Sequence, residues 1–187
     1  MTVSVEPVTP DRWDELVAFF GPNGAYSNCW CAWYRVRAKD YDNGPGNRRV
    51  LRRLTRDGAV PGLLAYDGQQ PVGWASIAPR EQFERIMRSR VIGPTDPDEK
   101  DIWSLVCFWV PARRRGSGVG AALLAGAVDY ARSQDAAAIE AYPVDTAGER
   151  RPSADIFTGT VDMFRTAGFA IAAHPVSSRP IAKLQLS

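Results

Sequence analysis

The segment Val110-Pro111-Ala112-Arg113-Arg114-Arg115-Gly116-Ser117-Gly118-Val119-Gly120 concentrates the residue types from which an anion site can be built. Glycines at alternate positions remove side chains where the backbone must turn tightly, and they let several N–H groups point outward. Helical periodicity begins directly afterwards, so a helix N-terminus adds unpaired N–H donors and a positive dipole end. Such a turn makes a cradle suited to a pyrophosphate, with arginines supplying charge and hydrogen bonds. The plain alternative is a glycine-rich strand–helix turn with solvated arginines. A Walker loop requires Gly-Lys-Ser/Thr, and the turn contains no lysine. A dinucleotide fingerprint requires G-x-G-x-x-G; the spacing here is G-x-G-x-G, and the turn comes too late for a leading βαβ unit.

The elements around this turn follow from periodicity. Ile102 to Val110 is the most apolar strand candidate, interrupted only by Ser104. Ser117 to Ser133 is the clearest helix, with Val119, Leu123, Leu124, Ala127, Val128 and Ala131 on its inner face. Ahead of them, Val3 to Val8 reads as a strand. Thr9-Pro10-Asp11 starts a helix that buries Trp13, Leu16, Val17 and Phe20 and stops at Gly21-Pro22-Asn23-Gly24. Arg48 to Arg56 is a second amphipathic helix with Val50, Leu51 and Leu54 inward, ending at Asp57-Gly58. Residues 62–66 and 71–77 form a hairpin whose Asp-Gly turn has more than two loop residues. Arg80 to Arg90 is a short helix, and 93–101 is a polar loop. Ala137 to Tyr142 is a strand, Thr160–Ala167 a helix closed by Gly168, and 169–173 and 181–186 are the last strands. Antiparallel hairpins followed by a strand–helix–strand unit give an α+β plan around one mixed sheet.

Composition narrows the partners. The chain has 187 residues, the size of one domain spanning 1–187, and is 45% hydrophobic. Lys+Arg is 23 against Asp+Glu 21, a net charge of +2 that argues against a general nucleic-acid binder. Only Lys39, Lys100 and Lys183 are lysines, so the basic set is overwhelmingly arginine, whose forks suit phosphates and carboxylates. No apolar run reaches the length of a membrane helix, and Met1 to Thr9 lacks the features of a secretory signal. Cys29, Cys31 and Cys107 are an odd number, which fits reduced thiols in a cytoplasmic setting. The Cys29-x-Cys31 spacing is too short for a zinc finger, and His174 is the only histidine, so no metal is expected.

Arg115-x-x-Gly118-x-Gly120 resembles the R/Q-x-x-G-x-G/A acyl-CoA motif of the GCN5-related N-acetyltransferases (GNAT). Val110-Pro111-Ala112 falls where that family often has V-x-P, with Ala112 in the usual proline position. Met163-Phe164-Arg165-Thr166-Ala167-Gly168-Phe169 is similar to the family's closing segment, which ends in Gly-Phe. The order of elements from Val3 to Phe169 is also similar, and Cys29-Trp30-Cys31-Ala32-Trp33-Tyr34 resembles a bacterial branch of the family.

The resemblance implies a mostly antiparallel twisted sheet flanked by helices, with an acyl-CoA cleft at a splay between two parallel strands. It places the pyrophosphate of acetyl-CoA on the turn, at Arg115, Gly116, Ser117, Gly118, Val119, Gly120 and Ala121. The pantetheine arm would pair with the preceding strand near Phe108 and Val110, where a bulge or splay is expected. An amine acceptor would attack the thioester directly, and a backbone N–H of that strand could stabilise the oxyanion. No metal is implied.

The family's usual acid is a tyrosine four residues before the closing glycine, but Phe164 stands there. Glu140 and Tyr142 share a face of one strand, which offers Glu140 as a base through water and Tyr142 as an acid. Alternatively, Glu140 forms a structural ion pair and Tyr142 packs; Asp145 and Ser104 are lesser candidates. Trp30, Trp33, Tyr34 and Trp103 could line an aromatic acceptor pocket or simply cap the core. Cys29 and Cys31 fit as small buried hydrophobes. Arg48, Arg49, Arg52, Arg53 and Arg56 form a solvated helix face or a contact for an acidic acceptor.

The expected activity is N-acetyl transfer from acetyl-CoA to an amine of a small molecule or protein, by a monomer or homodimer. A module that binds acyl-CoA without efficient transfer is the alternative suggested by Phe164. A more distant reading is an RNA- or partner-binding domain using its arginine helix.

Overall fold

The computed structural model describes residues 3–42 and 44–186. Met1 and Thr2 of the N-terminal segment read above therefore lie outside the described residues. Seven strands form one sheet in the order β1-β2-β3-β4-β5-β7-β6. They are β1 (Val3–Pro7), β2 (Leu63–Asp67), β3 (Gln70–Pro79), β4 (Ile102–Trp109), β5 (Ala138–Ala141), β6 (Ala170–Val176) and β7 (Arg179–Gln185). Every neighbouring pair is antiparallel except β4 and β5, which are parallel. The single parallel pair needs a crossover, and α4 (Val119–Ser133) supplies it.

Both faces of the sheet are covered, which is why β2 to β5 read as nearly continuous apolar runs. One face packs Leu63, Ala75, Leu105, Ile139 and Ala141 against Val119, Leu123, Ala127 and Phe164 of α4 and α5 (Val161–Thr166). The other packs Leu64, Trp74, Ala78, Val106 and Tyr142 beneath α1 (Trp13–Phe20), Leu51 of α2 (Pro45–Arg56) and Ile86 of α3 (Glu84–Met87). Gly73 lets α4 lie close to the sheet, since a Cβ there would come within 2.5 Å of Val119 Cγ1.

Several local expectations needed adjustment. The Asp67 hairpin has a two-residue loop, Gly68-Gln69, because Asp67 pairs with Gln70 and Gly68 takes φ +61°. The helix expected over 80–90 is a 3₁₀ turn at Arg80–Gln82 followed by the four residues of α3. Arg80 is drawn inward there by Glu140, which competes with an outward helical register. Thr9 makes no side-chain cap; a 3₁₀ turn at Pro10–Arg12 precedes α1. The second helix starts earlier than expected, at Pro45, and its buried residues are Asn47, Leu51 and Thr55. Thr160 caps α5 by accepting from the Met163 N–H at 3.4 Å.

Candidate active site

Strands β4 and β5 pair from Ile102↔Ala138 to Leu105↔Ala141, and there the ladder stops. At the same level the β3–β4 register slips between Ser76 and Ile77, leaving Val106 as the extra residue of a bulge. Alternation consequently resets: Val106 and Cys107 both pack on the α1 face, while Phe108 and Val110 pack on the α4 face. β4 thus runs on past its parallel neighbour with a free edge, beside the glycine turn.

A 3₁₀ turn at Ala112–Arg114 leads from β4 into that turn, where Gly116 takes φ +74° and Gly118 φ +87°. Both values belong to glycine, and a Cβ at either position would meet nothing within 4 Å. Gly118 is the N-cap of the 15-residue α4 and makes no side-chain cap bond. The first N–H groups of the helix therefore lie beside open space free of side chains at Gly116 and Gly118, with the positive dipole end of the helix there. Arg115, Gly116, Ser117, Gly118 and Ala121 are exposed, Gly120 is half-buried, and Val119 anchors the helix in the core. Arg115 Nε donates to the Val110 carbonyl at 2.9 Å, and Arg114 Nη1 meets Asp67 Oδ2 at 2.9 Å. These residues fit a pyrophosphate.

The free edge of β4 is engaged by the chain itself. Phe108 N–H donates to the Phe157 carbonyl at 2.6 Å. The segment behind Phe157 is tied to the end of β5: Val144 N–H donates to the Gly159 carbonyl at 2.9 Å, and Val161 N–H to the Val144 carbonyl at 3.1 Å. Gly159 takes φ +86°, and a Cβ there would lie 2.7 Å from the Phe164 ring. Phe164 is fully buried between Phe108 and Phe169, with ring centroids at 6.2 and 5.0 Å.

At the end of the β4–β5 ladder, a buried polar network joins the two strands through the paired Ser104 and Glu140 and through Tyr142 just beyond. Tyr142 Oη lies 2.9 Å from Ser104 Oγ and donates to Glu140 Oε2 at 3.5 Å. Glu140 is 0% exposed and pairs with Arg80, itself 1% exposed, at 3.2 Å; it also accepts from Thr95 Oγ1 at 2.9 Å. Arg80 Nη2 donates to the carbonyls of Asp96 and Glu99, fixing the 94–101 loop against the sheet. Lys183 Nζ pairs with Glu99 at the rim. Burial, reinforced by Glu140, pushes the Tyr142 phenol well above its ordinary range. Glu140 and Tyr142 do share one network, but the Glu140 carboxylate is committed to Arg80 and Thr95 and has no contact with solvent. Neither Arg80 nor Thr95 carried a signal in the sequence, since each lies at least 45 residues from Glu140.

The four aromatic residues do not form one pocket. Trp103 packs on Tyr130 on the α4 face, whereas Trp30 and Tyr34 lie on the α1 face and Trp33 sits at the surface beside Tyr41. Trp30 is a core residue stacked on Trp13 at 6.2 Å and edge-on to Phe20 at 5.4 Å. Trp33 is 43% exposed, with the Arg85 guanidinium 3.9 Å over its ring. Tyr34 is buried 6.3 Å from the Phe157 ring, and burial raises its pKa. Of the four, only Tyr34 approaches the fork.

The profile of the Acetyltransferase (GNAT) family matches residues 26–154, most of the chain. The chain belongs to the GNAT acetyltransferase family. Its fold is shared across nearly full lengths by solved GNAT structures of low identity. The PaiA N-acetyltransferase of Thermoplasma acidophilum, solved with coenzyme A, is 11% identical with a TM-score of 0.55, covering 99% of each chain. The putative acetyltransferase YncA of Salmonella typhimurium, solved with acetyl-CoA, is 14% identical at 0.57, covering 100% of this chain and 95% of that one. A GCN5-related N-acetyltransferase from Kribbella flavida is 20% identical at 0.57, covering 98% of each. A search of curated protein sequences finds no match. Among the described residues of this GNAT chain, no group of His, Cys, Asp and Glu side chains could hold a metal. No helix among them is long and apolar enough to cross a membrane.

Proposed function

We propose that this GNAT protein transfers an acetyl group from acetyl-CoA to a primary amine of a small molecule or protein. The observation that carries the reading is the junction of an open, uncapped α4 N-terminus with the stretch of β4 that runs past its last β5 pair, where Phe157 alone is seen to meet Phe108 N–H. Acetyl-CoA brings the activated thioester; the protein binds, orients and polarises. The glycine turn from Arg115 to Ala121 holds the pyrophosphate, and Phe108 and Val110 pair with the pantetheine arm. Phe108 N–H, which already binds a carbonyl oxygen, polarises the thioester carbonyl when Phe157 gives way.

On the amine side, Tyr142 and Tyr34 flank the fork. Tyr142 is the proton-handling group, held by Ser104 and backed by Glu140, with Arg80 holding the Glu140 carboxylate in place. The acceptor enters over the α1 face past Tyr34. Incubation with acetyl-CoA and a library of primary amines tests this: CoA release should depend on the amine and fall at least tenfold in Tyr142→Phe. Amine-dependent release that survives intact in both Tyr142→Phe and Glu140→Gln overturns the catalytic assignment.

A second reading is favoured by three features together: Phe164 at the usual tyrosine position, Glu140 locked to Arg80, and Phe157 seated on Phe108. It makes the chain an acyl-CoA-binding module with little turnover. Thermal shift with acetyl-CoA but no amine-dependent CoA release supports it. A ligand at a hundred times its Kd stabilises by about 2.7 kcal/mol, a rise of about 5–10 °C for a chain of this size. No shift with any acyl-CoA removes both readings.

A further inference from the structure

All three cysteines converge, although 76 residues separate Cys31 from Cys107. The Cys31 and Cys107 sulfurs lie 3.3 Å apart, and the Cys29 thiol, two residues along the chain from Cys31, donates to the Gly24 carbonyl at 3.9 Å. Trp74 Nε1–H donates to Cys31 Sγ at 3.1 Å, which fixes that sulfur between its two neighbours. Cys29 is half-buried and the other two are buried, so the row runs from the surface inward. Its outer part sits on a strained backbone: Ser27, Asn28, Trp30 and Cys31 all take φ between 45° and 55°. Positive φ at bulky residues persists only where packing enforces it. Packing does so here, through Trp30 against Trp13, Phe20 and Gly24. The inner end, Cys107, directly follows the β4 bulge and precedes Phe108. Acetyl transfer as described above uses none of the three thiols.

We propose that this row is a thiol–disulfide site that takes up oxidation from a low-molecular-weight disulfide at Cys29 and stores it as a Cys31–Cys107 bond. The Cys29 thiolate attacks one sulfur of the small disulfide and releases a first small thiol. Cys31 attacks the Cys29 sulfur and releases the second. Cys107 then attacks Cys31, forms the final bond, and expels Cys29 as a thiol. Two cysteine thiols are oxidised, the small disulfide is reduced to two thiols, and those thiols carry off the two protons. The final transfer, from Cys31 to Cys107, runs along a sulfur contact already present.

Interaction with a neighbouring thiol (Cys31 for Cys29, Cys107 for Cys31), and then burial, push the Cys29 and Cys31 thiols above their ordinary range, so exchange is slow at neutral pH and accelerates as pH rises. Replacing a 3.3 Å contact by a bond of about 2.05 Å pulls residues 29–34 onto the β4 bulge and shifts the residue beside Phe108. The effect on acetyl-CoA rests on the function proposed above; the disulfide itself does not.

The test incubates the reduced full chain with oxidised glutathione at about pH 7 and about pH 8.5 and maps peptides without reduction. The expected product is a Cys31–Cys107 cross-link, formed at least tenfold faster at the higher pH and at least tenfold slower in Cys29→Ser. Glutathione held on Cys29 with no Cys31–Cys107 link overturns the proposal, and so does a link that forms equally fast in Cys29→Ser. Stabilisation by acetyl-CoA should be lost in the cross-linked form and return with dithiothreitol; an unchanged shift overturns the coupling to β4. A protein with no acetyl-CoA shift in either state defeats the functional reading and leaves the peptide map to decide the disulfide.

Discussion

Phe108 N–H points at the Phe157 carbonyl across 2.6 Å, so the edge of β4 that should receive a cofactor is satisfied by the chain itself. A backbone N–H at a half-buried residue needs a partner, and Phe157 supplies one until another carbonyl takes its place. Saturating acetyl-CoA is therefore expected to release residues 156–160. Hydrogen–deuterium exchange of that segment should accelerate at least fivefold while the Phe108 amide becomes more protected. Slower exchange in 156–160 with acetyl-CoA would show that the cofactor and Phe157 do not compete.

The cradle predicts a sharp separation of binding from folding. Gly118→Trp places a large ring in the open space beside the turn, at a residue with φ +87°. The left-handed conformation costs about 1–2 kcal/mol, which lowers Tm by about 2–8 °C. The acetyl-CoA-induced shift should vanish in this variant. A retained shift means the pyrophosphate sits elsewhere.

The Arg80–Glu140 pair is almost fully buried, so removing one partner leaves the other charge stranded. Glu140→Gln should cost about 3–5 kcal/mol by urea unfolding. The double variant Arg80→Met with Glu140→Met should be closer to the parent, because no lone charge is buried. Equal losses in the single and double variants would show that the hydrogen bonds to Thr95, Asp96 and Glu99 dominate.

Phe164 fills the position of the family's usual tyrosine but is fully buried, with Phe108, Phe169 and Gly159 against its ring. In Phe164→Tyr the new hydroxyl finds no partner in this apolar site, at a cost of about 1–3 kcal/mol. Tm should fall, and amine-dependent CoA release should not rise. A gain in turnover would place Phe164 at the leaving thiolate.

Alkaline pH should unfold the protein through its buried phenols. Tyr142 is raised by burial and by Glu140, and Tyr66 is pushed up to about 12 by burial and by Glu15. A phenol whose folded pKa exceeds its unfolded value near 10 stabilises fully below that value and loses the effect above it. The urea midpoint should hold up to about pH 9.5 and fall from pH 10 to 12, less steeply in Tyr142→Phe. An equally steep fall in that variant would remove Tyr142 from the account.

Sequence alone determined the α4 periodicity, the glycine–arginine turn, the apolar β4 and the capped α5, because each is set by neighbours a few residues apart. The residues of the turn pointed to a phosphate cradle, and their resemblance to the GNAT motif implied the cofactor and a bulge or splay near Phe108. Tertiary structure decided everything that depends on meeting across the chain. The Asp67 loop length follows from strand register, and Arg80 turns inward because Glu140, 60 residues on, waits in the core. The four aromatic residues read as one pocket separate because strand alternation sends Trp103 to the opposite face from Tyr34. Cys107 joins Cys29 and Cys31 only because a bulge at Val106 turns its side chain to the α1 face, and no local pattern encodes that slip.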